Sequence, residues 1–310
     1  MFEYAVVIVG GGPAGLTAGL HLSRAGHRTL LLERELFGGN LQHAGRLEDY
    51  PAFPGSVSGA QLASEMIEQA TASGLTLKQA EVSGVELFSR IRWVACNDGR
   101  GFSCGVVILA GGTRFKTLGI PGEGSFRGRG VIDCTPCDAG FFVGRHVVVC
   151  GSNDYALRDA LDLVEMGAQV TLLVPEDRLD ASATLEARAR RTPGLTVHHR
   201  ATLEAIQGTE RVERVVYVEG DKRVREQLAA DGVAIRVGSE PSTDWLEDVV
   251  DLDAGRQILT TPDLQTSARH VLAAGDIRSG AQPSIATAVG DGATAAARAA
   301  ELLMDLSFGM

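Results

Sequence analysis

Apolar residues along this chain come in short blocks separated by glycine turns. Val6 to Val9 is an apolar run of mixed period, short enough for a strand. It breaks on Gly10-Gly11-Gly12. A helix carrying Leu16, Leu20 and Leu22 follows and stops at Gly26. A second strand, Thr29 to Leu32, then closes on Glu33. The same succession returns between His146 and Asp177, with an apolar strand, a turn opening on Gly151, a helix stopped at Gly167, and another strand. At an offset of 141 residues Gly10 pairs with Gly151, Leu20 with Leu161, Leu22 with Leu163, Gly26 with Gly167 and Leu32 with Leu173.

Strand, turn, helix and strand, twice over, predict an α/β fold of two Rossmann-like (three-layer ββα) nucleotide-binding domains. Val106 to Gly112 and His270 to Asp276 read as two further buried strands ending in glycine turns. The segment from Ser284 onward is an Ala-rich helix whose small residues permit close packing. Chain crossings are expected near Gly112 to Thr117 and Thr243 to Trp245. One domain is then inserted in the other, with residues 1–114 and 245–310 forming a discontinuous domain around 115–244.

The first turn, Gly10-Gly11-Gly12-Pro13-Ala14-Gly15, is a complete dinucleotide fingerprint between a strand and a helix. Gly10 makes the tight turn, Gly12 lets backbone approach a pyrophosphate, and Gly15 lets the helix pack on the strand. The pyrophosphate would rest on the helix N-terminus, and Glu33 would accept hydrogen bonds from the adenosine ribose. In the second copy Gly12 becomes Asn153 and Glu33 becomes Val174. That copy is expected to keep the fold and lose the ligand contacts.

With 45% hydrophobic and 22% charged residues in 310, the chain is an ordinary globular protein with room for two cores. A net charge of −10 argues against nucleic acid as a partner. The N-terminus enters a strand without a basic and then apolar leader, and no apolar run approaches a membrane span. The expected location is the cytoplasm.

Five cysteines are too few for a secreted disulfide framework in a chain this long. Cys96, Cys104 and Cys150 stand alone, whereas Cys134 and Cys137 form a CxxC. A structural zinc needs a second pair, and none follows. His198 and His199 are neighbours on a probable strand and point to opposite faces. No metal is expected, and the spacing favours a small, reducible disulfide. Asp138, next to Cys137, is placed either to move protons during exchange or simply as an acid at a helix start.

Taken in order, the fingerprint, Gly38-Gly39-Asn40, "LEDYPAFPG" from Leu47, "ILAGGTRFKTLGIPGE" from Ile108, "CTPCD" from Cys134 and "GDIRSG" from Gly275 resemble the low-molecular-weight thioredoxin reductases over essentially the whole chain. The resemblance implies an FAD domain interrupted by a smaller pyridine-nucleotide-type domain carrying the CxxC, and a homodimer. It implies that FAD is held by Gly10, Gly12, Pro13, Ala14, Gly15, Glu33, Arg34, Gly39, Asn40, Leu41, Asp49, Ala110, Gly111, Gly275, Asp276, Ser284 and Ile285. Asp276 would bind the ribityl–pyrophosphate region. Cys137 would face the flavin, and Cys134 would attack a partner disulfide.

The departures from the family concentrate in the second copy. The family's NADPH turn is G-x-G-x-x-A, and here it reads Gly151, Asn153, Ala156. The cationic cluster that would hold a 2′-phosphate is replaced by Val174, Pro175, Glu176 and Asp180. Near the flavin ring Pro283-Ser284 stand in place of Arg-Gln, and Asn40 in place of Gln. The expectation is an FAD-dependent dithiol/disulfide oxidoreductase that does not use NADPH. Its electrons would come from ferredoxin or a second flavin and pass through Cys134–Cys137 to a thioredoxin-like protein or other disulfide. Three alternatives stay open: a dithiol oxidase using oxygen, an NAD(P)H-dependent reductase with an unusual turn, and a non-catalytic flavin-bound scaffold or sensor. Phe308 near the C-terminus is either a cover for one flavin face or part of a frayed end.

Overall fold

The computed structural model describes residues 2–221 and 223–308. It clusters into two compact units, one of Met1–Gln42, Arg46–Arg114 and Glu240–Met310, the other of His43–Gly45 and Phe115–Ser239.

The first unit opens with β1 (Tyr4–Val9), α1 (Pro13–Arg24) and β2 (Thr29–Glu33). After α2 (Gly59–Ala72) come β3 (Thr76–Gln79), β4 (Val82–Leu87), β5 (Arg92–Cys96) and β6 (Gly101–Leu109). In the second unit β7 (Val131–Ile132) and the one-turn helix α3 (Thr135–Asp138) lead to β8 (His146–Cys150), α4 (Asp154–Glu165) and β9 (Gln169–Val174). Then follow α5 (Ala183–Ala189), β10 (Leu195–His199), β11 (Ala201–Gln207), β12 (Arg214–Glu219), β13 (Val224–Ala229) and β14 (Gly232–Ile235). The chain returns to the first unit for β15 (Val271–Ala273) and α6 (Ile285–Phe308).

The first sheet runs β3-β2-β1-β6-β5-β4. Long β6 pairs β5 antiparallel along its first half and β15 parallel along its second, where Val271 faces Val107 and Ala273 faces Leu109. β1 is central, with Val6 opposite both Thr29 and Val106. Period-2 alternation then divides its apolar run. Val7 and Val9 join Leu30, Leu32, Val107 and Leu109 in one core. Val6 and Ile8 join Leu31, Val106 and Ile108 against Leu16 and Leu22 of α1 and Leu302 and Leu303 of α6. This is why the strand needs no polar positions.

The second unit has a parallel sheet, β7-β14-β8-β9-β10, and an antiparallel one, β11-β12-β13. The chain re-enters the first unit at Glu240, earlier than the expected 245. The outgoing and returning segments, Thr113–Phe115 and Ser239–Pro241, pair as a two-stranded ribbon. Among the described residues no helix is long and apolar enough to cross a membrane.

Candidate active site

In the first unit β1 runs straight into the glycine turn. Gly10 has φ +110°, and a Cβ on it would overlap the Ala110 carbonyl. A Cβ on Gly15 would overlap the Gly10 carbonyl, so α1 approaches β1 only with glycine there. Gly12 is different. Its backbone (φ −76°, ψ −174°) suits any residue, and a Cβ there would meet nothing within 4 Å. Gly12 is the N-cap of α1 and offers no side-chain cap, and Pro13 at the first turn has no N–H to satisfy. The helix end therefore faces open space with its donors uncapped by any side chain, as an anion site requires.

Around this turn the other expected residues fall as follows. Glu33 ends β2; its Oε2 accepts the Gly11 N–H at 2.7 Å and its Oε1 the Glu35 N–H at 2.9 Å. With Arg34, Leu109, Gly111 and Trp245 it lines a cleft in this unit. Arg34 is exposed and pairs with Glu35. Ala110 donates its N–H to Val9, beside Gly10. Gly39 stands against the Gly12 backbone, Leu41 is buried, and exposed Asn40 donates to the Thr113 carbonyl at 3.0 Å. Gly275 (φ +78°) packs on Ala14 and donates to Asp291 Oδ2 at 2.9 Å.

Beside Gly275, the Asp276 Oδ1 atom is buried with no hydrogen-bond partner. Burial first, and then Asp291, push the Asp276 carboxyl above the usual range. Ser284 caps α6, its hydroxyl accepting the Thr287 N–H at 3.1 Å, and Ile285 is the first residue of that helix. Asp49 is exposed on the loop after Leu47. An orphaned carboxylate oxygen near an uncapped helix start is a donor set that fits FAD, with its pyrophosphate at α1 and a hydroxyl-bearing chain at Asp276. The side chain of Phe308 lies outside the described residues.

The second copy repeats the backbone and changes the surface. Gly151 has φ +144°, and a Cβ on it would overlap the Arg236 carbonyl. Asn153 is the N-cap of α4 at φ −90°, ψ 176°, close to the conformation of Gly12. Its Oδ1 accepts the Ala156 N–H at 3.0 Å, and its Nδ2 donates to the Arg236 carbonyl at 3.1 Å. One of the free N–H groups at this helix end is thus satisfied by the helix's own cap. Asp154 adds a carboxylate in the first turn, where it accepts the Ser182 N–H at 2.7 Å. Val174 is fully buried, and Glu176, Asp177 and Asp180 are exposed. The sequence reading took Asn153 only as a lost glycine and passed over Asp154, although an amide residue and then an acid are an ordinary helix-start signature.

Also in the second unit, Cys134 and Cys137 form a disulfide with Cα atoms 5.3 Å apart. Cys134 caps α3, its sulfur accepting the Cys137 N–H at 3.3 Å. Cys137 is exposed, while Cys134 and Asp138 are half-buried. Burial, and then Asp133, raise the Asp138 pKa, so this acid holds a proton further up the pH scale than an exposed one. Thr135, between the cysteines, is fully buried and donates to Asp159 Oδ2 at 2.6 Å, an oxygen that also receives Arg236 Nε at 2.6 Å. The sequence held no sign of this pair. Cys96, Cys104 and Cys150 are buried free thiols, and burial pushes the last two up to about 12, far from thiolate chemistry.

An open dinucleotide turn on one unit and a CxxC disulfide on the other define a flavin-dependent disulfide oxidoreductase. The model of the pyridine nucleotide-disulphide oxidoreductase family matches residues 4–292, and the chain belongs to that family. It is 35% identical over 301 residues to a thioredoxin reductase of Treponema pallidum (strain Nichols), covering 97% of each chain. It is 32% identical to that of Bacillus subtilis (strain 168), over 94% of this chain and 92% of the relative. The crystal structure of Lactococcus lactis thioredoxin reductase in its FR conformation superposes with a TM-score of 0.92 at 31% identity, over 98% of this chain and 100% of that one. The enzyme is thus of thioredoxin reductase type, with FAD as its cofactor.

Proposed function

We propose that this enzyme exchanges electrons between its flavin and a disulfide partner without using NADPH. The single observation that carries the reading is Asn153, whose side chain caps the α4 N-terminus by taking the Ala156 N–H, at the place where a dinucleotide would need glycine. Asp154 in the first helical turn, and Glu176 and Asp180 where a 2′-phosphate would lie, add repulsion. The bound FAD would supply a two-electron carrier, held by the first turn, Glu33 and Asp276. Its reductant would be a ferredoxin or a second flavin, and the enzyme would act as a homodimer.

The disulfide partner is a thioredoxin-like protein, in keeping with the named activity of the relatives. In the dithiol form the Cys134 thiolate attacks the partner disulfide and one partner sulfur leaves as a thiolate. Cys137 then attacks Cys134 sulfur, closing the enzyme disulfide and releasing the second partner thiolate. Asp138, next to Cys137 in the chain and with its pKa raised by burial, would take the proton that Cys137 gives up.

The test mixes flavin-loaded protein anaerobically with excess NADPH, then NADH, and follows the oxidised flavin band. The expected result is no bleaching by either, in protein that dithionite or dithiothreitol does reduce. Rapid bleaching by a nicotinamide would overturn the reading and return the enzyme to an ordinary reductase. Oxygen uptake with a small dithiol would instead reverse the direction of flow and make the enzyme a dithiol oxidase.

A further inference from the structure

The CxxC segment is held from behind by a buried ion pair that no motif announces. Arg236, directly after β14, is 3% exposed, and Asp159, in the middle of α4, is 8% exposed. The guanidinium makes one bond to Asp159 Oδ2 at 2.6 Å. Its Nη1 donates to the Ile235 carbonyl at 2.9 Å and the Ile132 carbonyl at 3.4 Å, and its Nη2 to the Asp133 carbonyl at 3.1 Å. The same Nη2 lies 3.4 Å from the Thr135 hydroxyl, which itself donates to Asp159. Its flat face sits over the Phe115 ring at 4.3 Å. Arg236 thus grips the two residues before Cys134, while Asp159 grips the one after it.

A buried ion pair is a poor stabiliser by itself, because desolvation of both charges offsets most of their attraction. Two charged residues and a hydroxyl converging on the backbone around one cysteine do something a plain apolar core could not. They fix the direction in which that cysteine leaves the sheet.

We propose that Arg236 and Asp159 are positioning residues for the redox pair, attached through the Asp133 carbonyl on one side of Cys134 and Thr135 on the other: they hold Cys134 in reach of Cys137 and so favour the closed disulfide. The inference rests on the reading of Cys134–Cys137 as the redox pair. Disulfide closure removes two electrons and two protons from the dithiol, and its equilibrium depends on how often the two thiols meet. With the clasp intact the Cα atoms stand 5.3 Å apart, inside the ordinary disulfide range. With the clasp released, the Cys134 segment samples other directions and the dithiol gains relative to the disulfide.

Thr135→Val removes the grip of Asp159 on the residue after Cys134 and leaves the Arg236–Asp159 pair, with its hold on the Ile132 and Asp133 carbonyls, in place. Arg236→Lys keeps the charge but not the planar fork. Thr135→Ser restores the hydroxyl. Each flavin-loaded protein is equilibrated with a series of reduced and oxidised glutathione mixtures, in which glutathione disulfide accepts the two electrons. Thiols are then trapped by alkylation and counted by mass.

Thr135→Val and Arg236→Lys are expected to shift the dithiol:disulfide equilibrium about tenfold toward the dithiol, equivalent to a potential about 30 mV higher. Thr135→Ser is expected to match the wild type. A purely structural role would lower the melting temperature and leave the equilibrium in place. Folded Thr135→Val and Arg236→Lys proteins that titrate with the wild type would overturn the proposal while leaving the redox reading standing. A wild type that never exchanges with glutathione at all would overturn both.

Discussion

Asp276 offers a test in which one substitution should act with opposite signs on the apo-protein and the flavin-loaded protein. Its Oδ1 is buried without a partner, and the nearby Asp291 is itself fully engaged by the Gly275 N–H and by Arg278 at 2.6 and 2.9 Å. Leaving a buried acceptor unsatisfied costs about 1–3 kcal/mol. Asp276→Ala removes that penalty, and after loss of the side chain's own contacts the apo-protein should gain about 1 kcal/mol, or ~2–4 °C in melting temperature. A charged hydrogen bond to the ligand contributes about 1.5–3 kcal/mol, so FAD affinity should fall roughly ten- to hundredfold. The sign with pH follows from the raised carboxyl. The folded state binds this proton more tightly than the unfolded chain, so the penalty is complete above the folded pKa. It shrinks as pH falls toward the ordinary value of 3.8, and the apo-protein difference should narrow on acidification. Thermal melts of apo-protein across pH and a flavin-fluorescence titration give both numbers. An apo variant that melts lower near neutral pH, or one that retains FAD like the wild type, would refute the argument.

Gly12→Ala and Gly15→Ala should separate ligand space from packing space. The first meets no atom and should leave apo stability within about 1 kcal/mol while weakening FAD at least tenfold; the second collides with the Gly10 carbonyl and should cost apo stability about 1–3 kcal/mol. Denaturant melts and flavin titrations distinguish them, and equal effects from both would show that Gly12 does not face the ligand. Asn153→Gly should uncap α4 at a cost of about 1 kcal/mol, counting the lost bond to Arg236, and let NADH bind before NADPH, since Glu176 and Asp180 remain. Calorimetric titration with both nucleotides reads this, and a folded variant that binds neither would mean the cap is not what closes the site. Reduced native protein should take up two alkyl groups per chain at about pH 8 and denatured protein five, because burial raises the pKa of each of the other three thiols. A third rapid modification in native protein would contradict the burial of those thiols.

The layered fold was legible because its signals are local. An apolar strand that runs into Gly10 or Gly151 and then into a helix cannot easily be anything else, and the two copies reinforce each other. The disulfide was legible from spacing alone. The return crossing at Ser239–Pro241 is only three residues long, too short for an alternating pattern to mark it. The clasp behind the disulfide could not be read. Asp159 is a polar residue on the buried side of an amphipathic helix and Arg236 directly follows a strand, 77 residues away. A buried charge looks like a surface charge until the chain is folded.

The two glycine turns share a backbone and differ in their side chains. Both open on a glycine with positive φ, both place an extended residue at the helix N-cap, and both pack a strand against that helix. The cap differs, and with it Pro13 gives way to Asp154 and Gly15 to Ala156. The first N–H groups of a helix can be satisfied from outside by a ligand or from inside by a side chain, and one occupant excludes the other. Gly12 leaves them to a ligand, so the first turn is completed only when something anionic binds. Asn153 satisfies one of them permanently, and its second bond goes to the carbonyl of Arg236, the residue that also clasps the redox segment. Asn153 therefore ties the second glycine turn to the residue proposed to position the disulfide, and a ligand that displaced Asn153 would have to break that contact.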